Sequence, residues 1–531
     1  MTASTTSVNR ERHSALAPLR TPAFAAFWTA SFVATLLNTV QAVGVAWLLI
    51  SINDAPTIIA ALQTASCLPI ILLSFFAGAL ADSIDRRLVM LGAQIVLLAS
   101  SALLAVAAIW GHVSVLLILV LATVNGAALA FYGPSAQAAL GALVARDKMP
   151  AAVGLGSLSL NFSRTIGPAI GGLIVALAGA GPAILVGAIG AVVLCVVICL
   201  WKPSASAHAL PPEPLLEGIR TGARYITLSP AIIDVLLRTG VFALCAGIIL
   251  AFPPLVATAL LGGGPGTLGL LLAAFGFGAI ASAFVSARLR LFLEPNQIAL
   301  VSGLGMVACL ALIGANVHPA LTTFAFAASG ATWVAFLTPL AVSVQLNAPH
   351  WMAGRTAAAF QITLAGGLAL GSLVWGALAE QVGVGGSLLC ASGALAVLLF
   401  QTRSIPLVLG DELEWAPIDD GVLGLPQIPQ SLHEGRITVA LEYRVPPGEV
   451  EEFKAAMQTL RRIRLRDGAR RWALLQDLED GELWMERFEA LNWTEHLRRQ
   501  SRLTVADQAL RENALRFSTA PVEPRRFVHH E

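Results

Sequence analysis

The chain has 531 residues, 56% of them hydrophobic and only 12% charged, with a mean hydropathy of +0.75 and a formal net charge of +1. A water-facing surface needs about a quarter charged residues, so most of this chain cannot be a soluble domain. The near-neutral balance, without a basic tract to neutralise phosphates, sets aside a nucleic-acid partner.

Residues 1–22 are polar and read as a cytoplasmic N-terminus, not a secretory signal, because the apolar run that follows is too long and lacks a small-residue cleavage site. Crossing a bilayer as helix takes about 20 apolar residues, with every backbone polar group satisfied inside the segment. Such runs are predicted near Ala23–Ile50, Thr57–Leu80, Leu88–Trp110, Val113–Tyr132, Ala151–Ala178 and Pro182–Trp201. After a Pro-rich central loop, 202–230, come Ala231–Ala257, Thr267–Ala287, Gln297–Ala315, Leu321–Leu346, Thr356–Ala379 and Ser387–Thr402. The expected fold class is an all-α polytopic membrane protein of twelve spans, in six-helix bundles at 23–201 and 231–403.

Lys and Arg mark every other loop: Arg10, Arg12 and Arg20, then Arg86 and Arg87, Arg146 and Lys148, Lys202 to Arg224, Arg288 and Arg290, Arg355, and Arg403. The intervening turns carry none, which by the positive-inside rule puts both termini in the cytoplasm of a bacterial inner membrane. An internal repeat agrees with two halves. Phe131-Tyr-Gly-Pro134 and Gly167-Pro-Ala-Ile-Gly-Gly-Leu173 return as Phe336-Leu-Thr-Pro339 and Gly367-Leu-Ala-Leu-Gly-Ser-Leu373, at offsets of 205 and 200 residues. Parallel halves flanking a midplane site are a transporter plan.

Chemistry-bearing residues are sparse. Arg164 falls near the middle of the fifth run, where a charge costs about 2.5–3.5 kcal/mol on insertion scales and must face a wet cavity or a partner. Asn161, Arg164, Pro168 and Gly171 share one helix face by spacing. Asn38, Gln41 and Gln361, with Gln63, Asn125, Trp333 and Gln345, are further polar or aromatic candidates for a substrate cavity. Asp82, Asp234 and Glu380 lie near helix ends, leaving no carboxylate inside a predicted span. The six cysteines lie in apolar runs without a CxxC pair or a Cys/His cluster, so no metal site, disulfide framework or cofactor is expected, and no catalytic set.

Gly78-Ala-Leu-Ala-Asp-Ser-Ile-Asp-Arg-Arg87 joins the second and third runs. With Gly78, Asp82, Asp85, Arg86 and Arg87 in register, it resembles the cytoplasmic signature of the major facilitator superfamily, where that loop acts as a gate latch. The fifth-run motif of Gly167, Pro168, Gly171 and Gly172 is similar to the signature of the superfamily's exporters. Over roughly Leu19–Arg403 the chain resembles the branch holding the enterobactin exporter and the secretion effectors. The resemblance implies proton-driven efflux of a small amphipathic molecule (a siderophore, drug or secondary metabolite) by alternating access, with substrate and lipid bilayer as partners. The chain departs from it at Asn38, where similar exporters commonly hold an acid, and at Ala122, where the superfamily's fourth-helix Arg would stand. Import of a sugar or organic acid is the rival within the class, and a membrane-tethered enzyme or sensor the rival outside it.

The tail is a different object. The last 97 residues hold 17 of the 33 Lys and Arg and 16 of the 32 Asp and Glu. A linker at 404–434 leads to a soluble cytoplasmic α+β domain at 435–531. Arg436–Arg444 alternates as a strand, Glu449–Arg464 is helical, Arg470–Asp477 and Glu482–Glu489 are strands around Asp480-Gly481, and Trp493–Gln500 and Val505–Phe517 are helices. This order, with Trp472, Trp484, Phe488 and Trp493, resembles the ferredoxin-like dimeric barrels of small monooxygenases. The resemblance implies a dimerising or regulatory part, hence a homodimer through this domain; His496 reads as a helix-surface residue, not a base.

Overall fold

In a computed structural model the described residues are 16–83, 85–144, 148–201, 215–289, 292–349, 352–402, 435–501 and 504–529. The N-terminal segment, the linker 404–434 and the positions of Arg146, Lys202, Arg290 and Arg403 lie outside them.

The apolar runs form α1 (Pro22–Ile52), α2 (Pro56–Ser83), α3 (Arg86–Ile109), α4 (Val115–Leu143), α5 (Met149–Ala178) and α6 (Ala180–Leu200). After α7 (Leu215–Thr227) come α8 (Pro230–Ala246), α9 (Pro265–Leu289), α10 (Pro295–Ala315), α11 (Pro319–Leu346) and α12 (Ala353–Thr402). Proline opens α1, α2, α8, α9, α10 and α11, where its missing N–H would be unpaired in any helix. Among the described residues ten helices are long and apolar enough to cross a membrane. The last of these is double: Gly383, at φ +79°, breaks α12 into two spans. With α8 and its continuation the count is the twelve expected.

Two boundaries differ from the sequence reading. The fourth span runs through Pro134 to Leu143, well past Tyr132, because a membrane helix tolerates a proline whose freed carbonyl finds other partners. The seventh stops at Ala246 and goes on as short pieces, Ile248–Ala251, Pro253–Leu255 and the π turn Val256–Leu260. Pro253 and Pro254 there remove consecutive backbone donors.

The repeat is visible as repeated packing. A Cβ on Gly171 would lie 2.9 Å from the Val40 carbonyl oxygen of α1, and one on Gly367 would lie 2.8 Å from the Gly240 carbonyl oxygen of α8. Thus the fifth span lies on the first as the eleventh lies on the seventh. The helix ends are tied in parallel fashion. Arg87 Nε donates to the Ile198 carbonyl at 3.0 Å, at the end of the sixth span. Arg238 donates to the Thr402 carbonyl at 2.8 Å, at the end of the twelfth, and to Asn296 Oδ1 at 2.7 Å. Cations on the last carbonyls of a helix complement its dipole.

A second compact unit gathers Val408–Glu531 with Glu213–Val235 and Val342–Ala357. Its sheet is antiparallel in the order β2-β3-β1-β4, from β1 (Ile437–Arg444), β2 (Arg470–Gln476), β3 (Leu483–Ala490) and β4 (Arg525–Val528). The helices are α13 (Val450–Arg466), α14 (Trp493–Ser501) and α15 (Val505–Leu515). Val439, Leu441 and Tyr443 pack with Phe453, Met457, Leu460, Trp484 and Phe488 into one core. The short edge strand β4, which follows Pro521 and Pro524, was not expected from the sequence. Within this unit Tyr225 of α7 is fully buried, with the Arg466 guanidinium 5.1 Å from its ring centroid. Burial holds the Tyr225 hydroxyl well above its ordinary pKa.

Candidate functional site

The fifth span lies on the seam between the two sets of six. A Cβ on Gly172 would lie 2.8 Å from the Gly269 Cα of α9, and one on Gly276 would lie 2.5 Å from the Thr165 Cα. At the equivalent place in the repeat, Thr64 of α2 meets Ser372 of α12 at 2.9 Å and donates to the Ala369 carbonyl at 3.0 Å. Further along the same pair of helices, Thr57 donates to Glu380. Glycine and hydroxyl residues here bring backbones to contact distance without a large side chain between them. The seam is tightest at and beyond Arg164, toward the ends whose turns carry no Lys or Arg.

Arg164 and Gly172 stand two turns apart on the face of α5 turned to α9. The Arg164 side chain is exposed and has no ion pair or hydrogen bond among the described residues. A mid-span guanidinium without a counter-charge among the described residues can receive an anionic group. Asn161 lies one turn earlier, and its side chain falls outside the described residues.

The other candidates divide. Asn38 and Gln361 are exposed, as is Gln345. Gln41, in contrast, is buried inside its own bundle: its Nε2 donates to Ser101 Oγ at 2.9 Å, and that hydroxyl donates back to Oε1 at 3.1 Å. Asn125 accepts from Ser100, Gln63 Nε2 contacts Cys67 Sγ at 3.3 Å, and the Trp333 ring lies tilted against Phe242 with centroids 5.3 Å apart. The Asn125 and Trp333 contacts join helices to one another, whereas that of Gln63 stays within its own helix. Ala122 is buried within the fourth span.

In the second–third connection, Gly78 and Asp82 fall in the last turns of α2, and their side chains lie outside the described residues. Asp85 caps α3, accepting from the Arg87 backbone N–H at 2.9 Å, while the Arg87 side chain reaches the end of α6. Asp85 and Arg87 therefore tie the start of α3 to the end of α6, and Arg86 stands between them. Sequence reasoning did not single out Gly269, Gly276, Thr57, Thr64 or Ser372; glycines seven apart in an apolar run were the available signal.

The second unit holds a buried polar cluster. Glu486 accepts from Arg464 Nε at 3.1 Å, Trp472 Nε1 at 2.9 Å and the Tyr443 hydroxyl at 3.1 Å, and these partners keep its carboxyl below the ordinary range despite burial. His496 is fully buried, not on the helix surface as expected, because α14 turns it inward. Arg526 Nε donates to its Nε2 at 3.2 Å, and burial, with Arg499 and Arg526 nearby, pushes its pKa down to about 3. It is neutral at physiological pH.

A sequence profile described as transmembrane secretion effector matches residues 13–531. The staphyloferrin A transporter of Staphylococcus aureus is 30% identical over 175 residues, covering 33% of this chain and 44% of that protein. The enterobactin exporter EntS of Escherichia coli is 26% identical over 252 residues, covering 46% of this chain and 58% of that protein. This chain thus spans about half the length of the curated relatives it matches. Solved structures share the fold. A bacterial homologue of the human lysosomal transporter Spinster, inward-facing and unoccupied, gives a TM-score of 0.56 at 13% identity, over 72% of this chain and 97% of that one. The nucleoside transporter NupG gives 0.58 at 13% identity, over 72% and 98%. By its profile and its fold, the chain is a multi-pass membrane protein of the major facilitator type and belongs to the transmembrane secretion effector family.

Proposed function

We propose that this protein exports a small amphipathic molecule bearing an anionic group, such as a siderophore, by alternating access across the bacterial inner membrane. Arg164 carries the proposal: a mid-span guanidinium without a counter-ion among the described residues, on the seam between two repeat-related halves. Asn38 and Gln361, both exposed, complete the polar lining. The names of two relatives, a siderophore transporter and a siderophore exporter, favour that substrate class. With the Lys- and Arg-rich loops in the cytoplasm, the seam is closed toward the outside and the pathway faces inward, with both termini inside. In this reading the protein is not an enzyme.

The proton gradient drives export in this reading, and Glu380 bonds Thr57 across the seam at the outer end. The loop of Gly78, Asp82, Asp85, Arg86 and Arg87 latches the inner end. The soluble domain, with the sheet order of a ferredoxin-like sandwich, pairs two copies through the face bearing Met485 and exposed Phe527. The test is retention of labelled catecholate and hydroxycarboxylate siderophores by cells with and without the protein, with and without a protonophore. Faster loss that needs both the protein and the gradient supports the reading; loss independent of the protein removes it.

A further inference from the structure

The repeat fixes which residues of the two halves correspond. Gly167 and Gly171 of α5 lie against the Leu36 and Val40 carbonyls of α1, and Gly367 and Gly371 of α12 lie against the Gly240 and Leu244 carbonyls of α8. The offsets are therefore 200 residues from α5 to α12 (167 to 367) and 204 from α1 to α8 (36 to 240). An offset of 205 relates Phe131 in α4 to Phe336 in α11. Where close packing decides, the halves carry like residues, as at these four glycines.

At the candidate site they do not. Arg164 corresponds to Leu364, Asn38 to Phe242 and Tyr132 to Leu337. Asn38 and Arg164 are exposed, and the Tyr132 hydroxyl lies 3.5 Å from the Oγ of Ser31, two turns before Asn38 on α1. Phe242 is instead fully buried, stacked on Phe336 with centroids 3.9 Å apart and tilted against Trp333, whose counterpart is Ala128. Leu337 and Leu364 are half-buried. Asn161 and Gln361 also correspond, so an amide is common to both halves and the mid-span charge is not. Arg238, the cation of α8, is engaged by Asn296 and the Thr402 carbonyl at the helix ends.

We propose that the two halves read opposite ends of the substrate: the first holds one anionic head at Arg164, and the second takes an uncharged, apolar body. The substrate class is a one-headed amphiphilic anion, and the same body with a second carboxylate at its far end is rejected. This inference rests on Arg164 as the anion-binding residue of the proposed exporter. Its physical ground is desolvation. A far carboxylate would meet Leu337 and Leu364 where the first half offers a hydroxyl and a guanidinium, and an unpaired charge out of water costs more than apolar contact returns.

Scintillation-proximity binding to the full-length protein in detergent tests it. The probes are tritiated 4-pentylbenzoate and the same molecule carboxylated at the end of its pentyl chain, with micelle partition subtracted on protein-free beads. The wild type should bind the monocarboxylate about tenfold or more tightly than the dicarboxylate. Leu364→Arg, which supplies the missing cation, should improve dicarboxylate binding by about tenfold, as one charge-assisted pair would. Should Leu364→Arg not fold, Leu337→Arg, at the counterpart of Tyr132, carries the test. Arg164→Ala should lose the monocarboxylate; binding that persists there removes Arg164 from the site, and the reading of the function with it. If Arg164→Ala does lose binding, two outcomes overturn the division of ends alone. One is equal binding of both acids by the wild type, and the other is a folded Leu364→Arg that binds the dicarboxylate no better.

Discussion

Gly172 of the fifth span and Gly269 of the eighth meet backbone to backbone, so closely that a Cβ on the first would sit 2.8 Å from the Cα of the second. No side chain separates the two halves at this point. A rocking motion that opens the seam must part these surfaces and bring them together again in each cycle. Gly172→Leu should hold the halves apart, with an overpacking cost of about 1–3 kcal/mol in the closed form. Export should fall at least tenfold while the protein still reaches the membrane, as judged by surface labelling against flux. Full export by Gly172→Leu would show that the seam does not close there.

Arg164 contributes charge in place of packing. Arg164→Ala should abolish export of an anionic substrate without removing the protein from the membrane, and Arg164→Lys should restore part of it. A Lys keeps the charge but not the two-pronged geometry of a guanidinium. The measurement is substrate efflux normalised to the amount of protein in the membrane. Equal flux in wild type and Arg164→Ala would take Arg164 out of the pathway.

The C-terminal unit should lose stability in acid through His496. Its folded pKa, about 3, lies below the unfolded value of about 6.5, so the unfolded chain binds the proton more readily. Its contribution is complete above about pH 6.5 and is lost as pH falls toward 3, at no more than about 1.4 kcal/mol per pH unit. Pulse proteolysis within 435–531 at rising urea should show the midpoint falling between pH 7 and pH 4.5. The fall should be smaller in His496→Gln, which cannot take up a proton. An equal fall in both proteins would assign the acid sensitivity elsewhere.

Much of the membrane body was legible because lipid imposes one rule: an apolar run long enough to span must be helical. That rule fails where a proline sits inside a span. Pro134 reads as an end although its helix continues to Leu143, whereas Pro253 and Pro254 do break theirs. The repeat motifs marked the glycines of α5, but not their partners on α9, since which glycines face each other depends on helix rotation. Gln41 reads like Asn38, a lone amide in an apolar run. Only the structure shows one bonded to Ser101 inside a bundle and the other exposed. In the tail, the alternation of Ile437, Val439 and Leu441 announced the sheet. Arg464 and Arg466 were not singled out in the sequence; Arg464 is buried against Glu486, and Arg466 against Asp467 and Asp507.

The central claim, that two repeat-related halves move against each other across the seam, is tested most directly by tethering them at Thr57 and Glu380. In a background with the six native cysteines replaced, Thr57→Cys with Glu380→Cys should cross-link on mild oxidation, because the native side chains are hydrogen-bonded across the seam. The account predicts that oxidation stops export and that reduction restores it, while each single variant is indifferent to either treatment. Export that continues undiminished with the cross-link complete would contradict it.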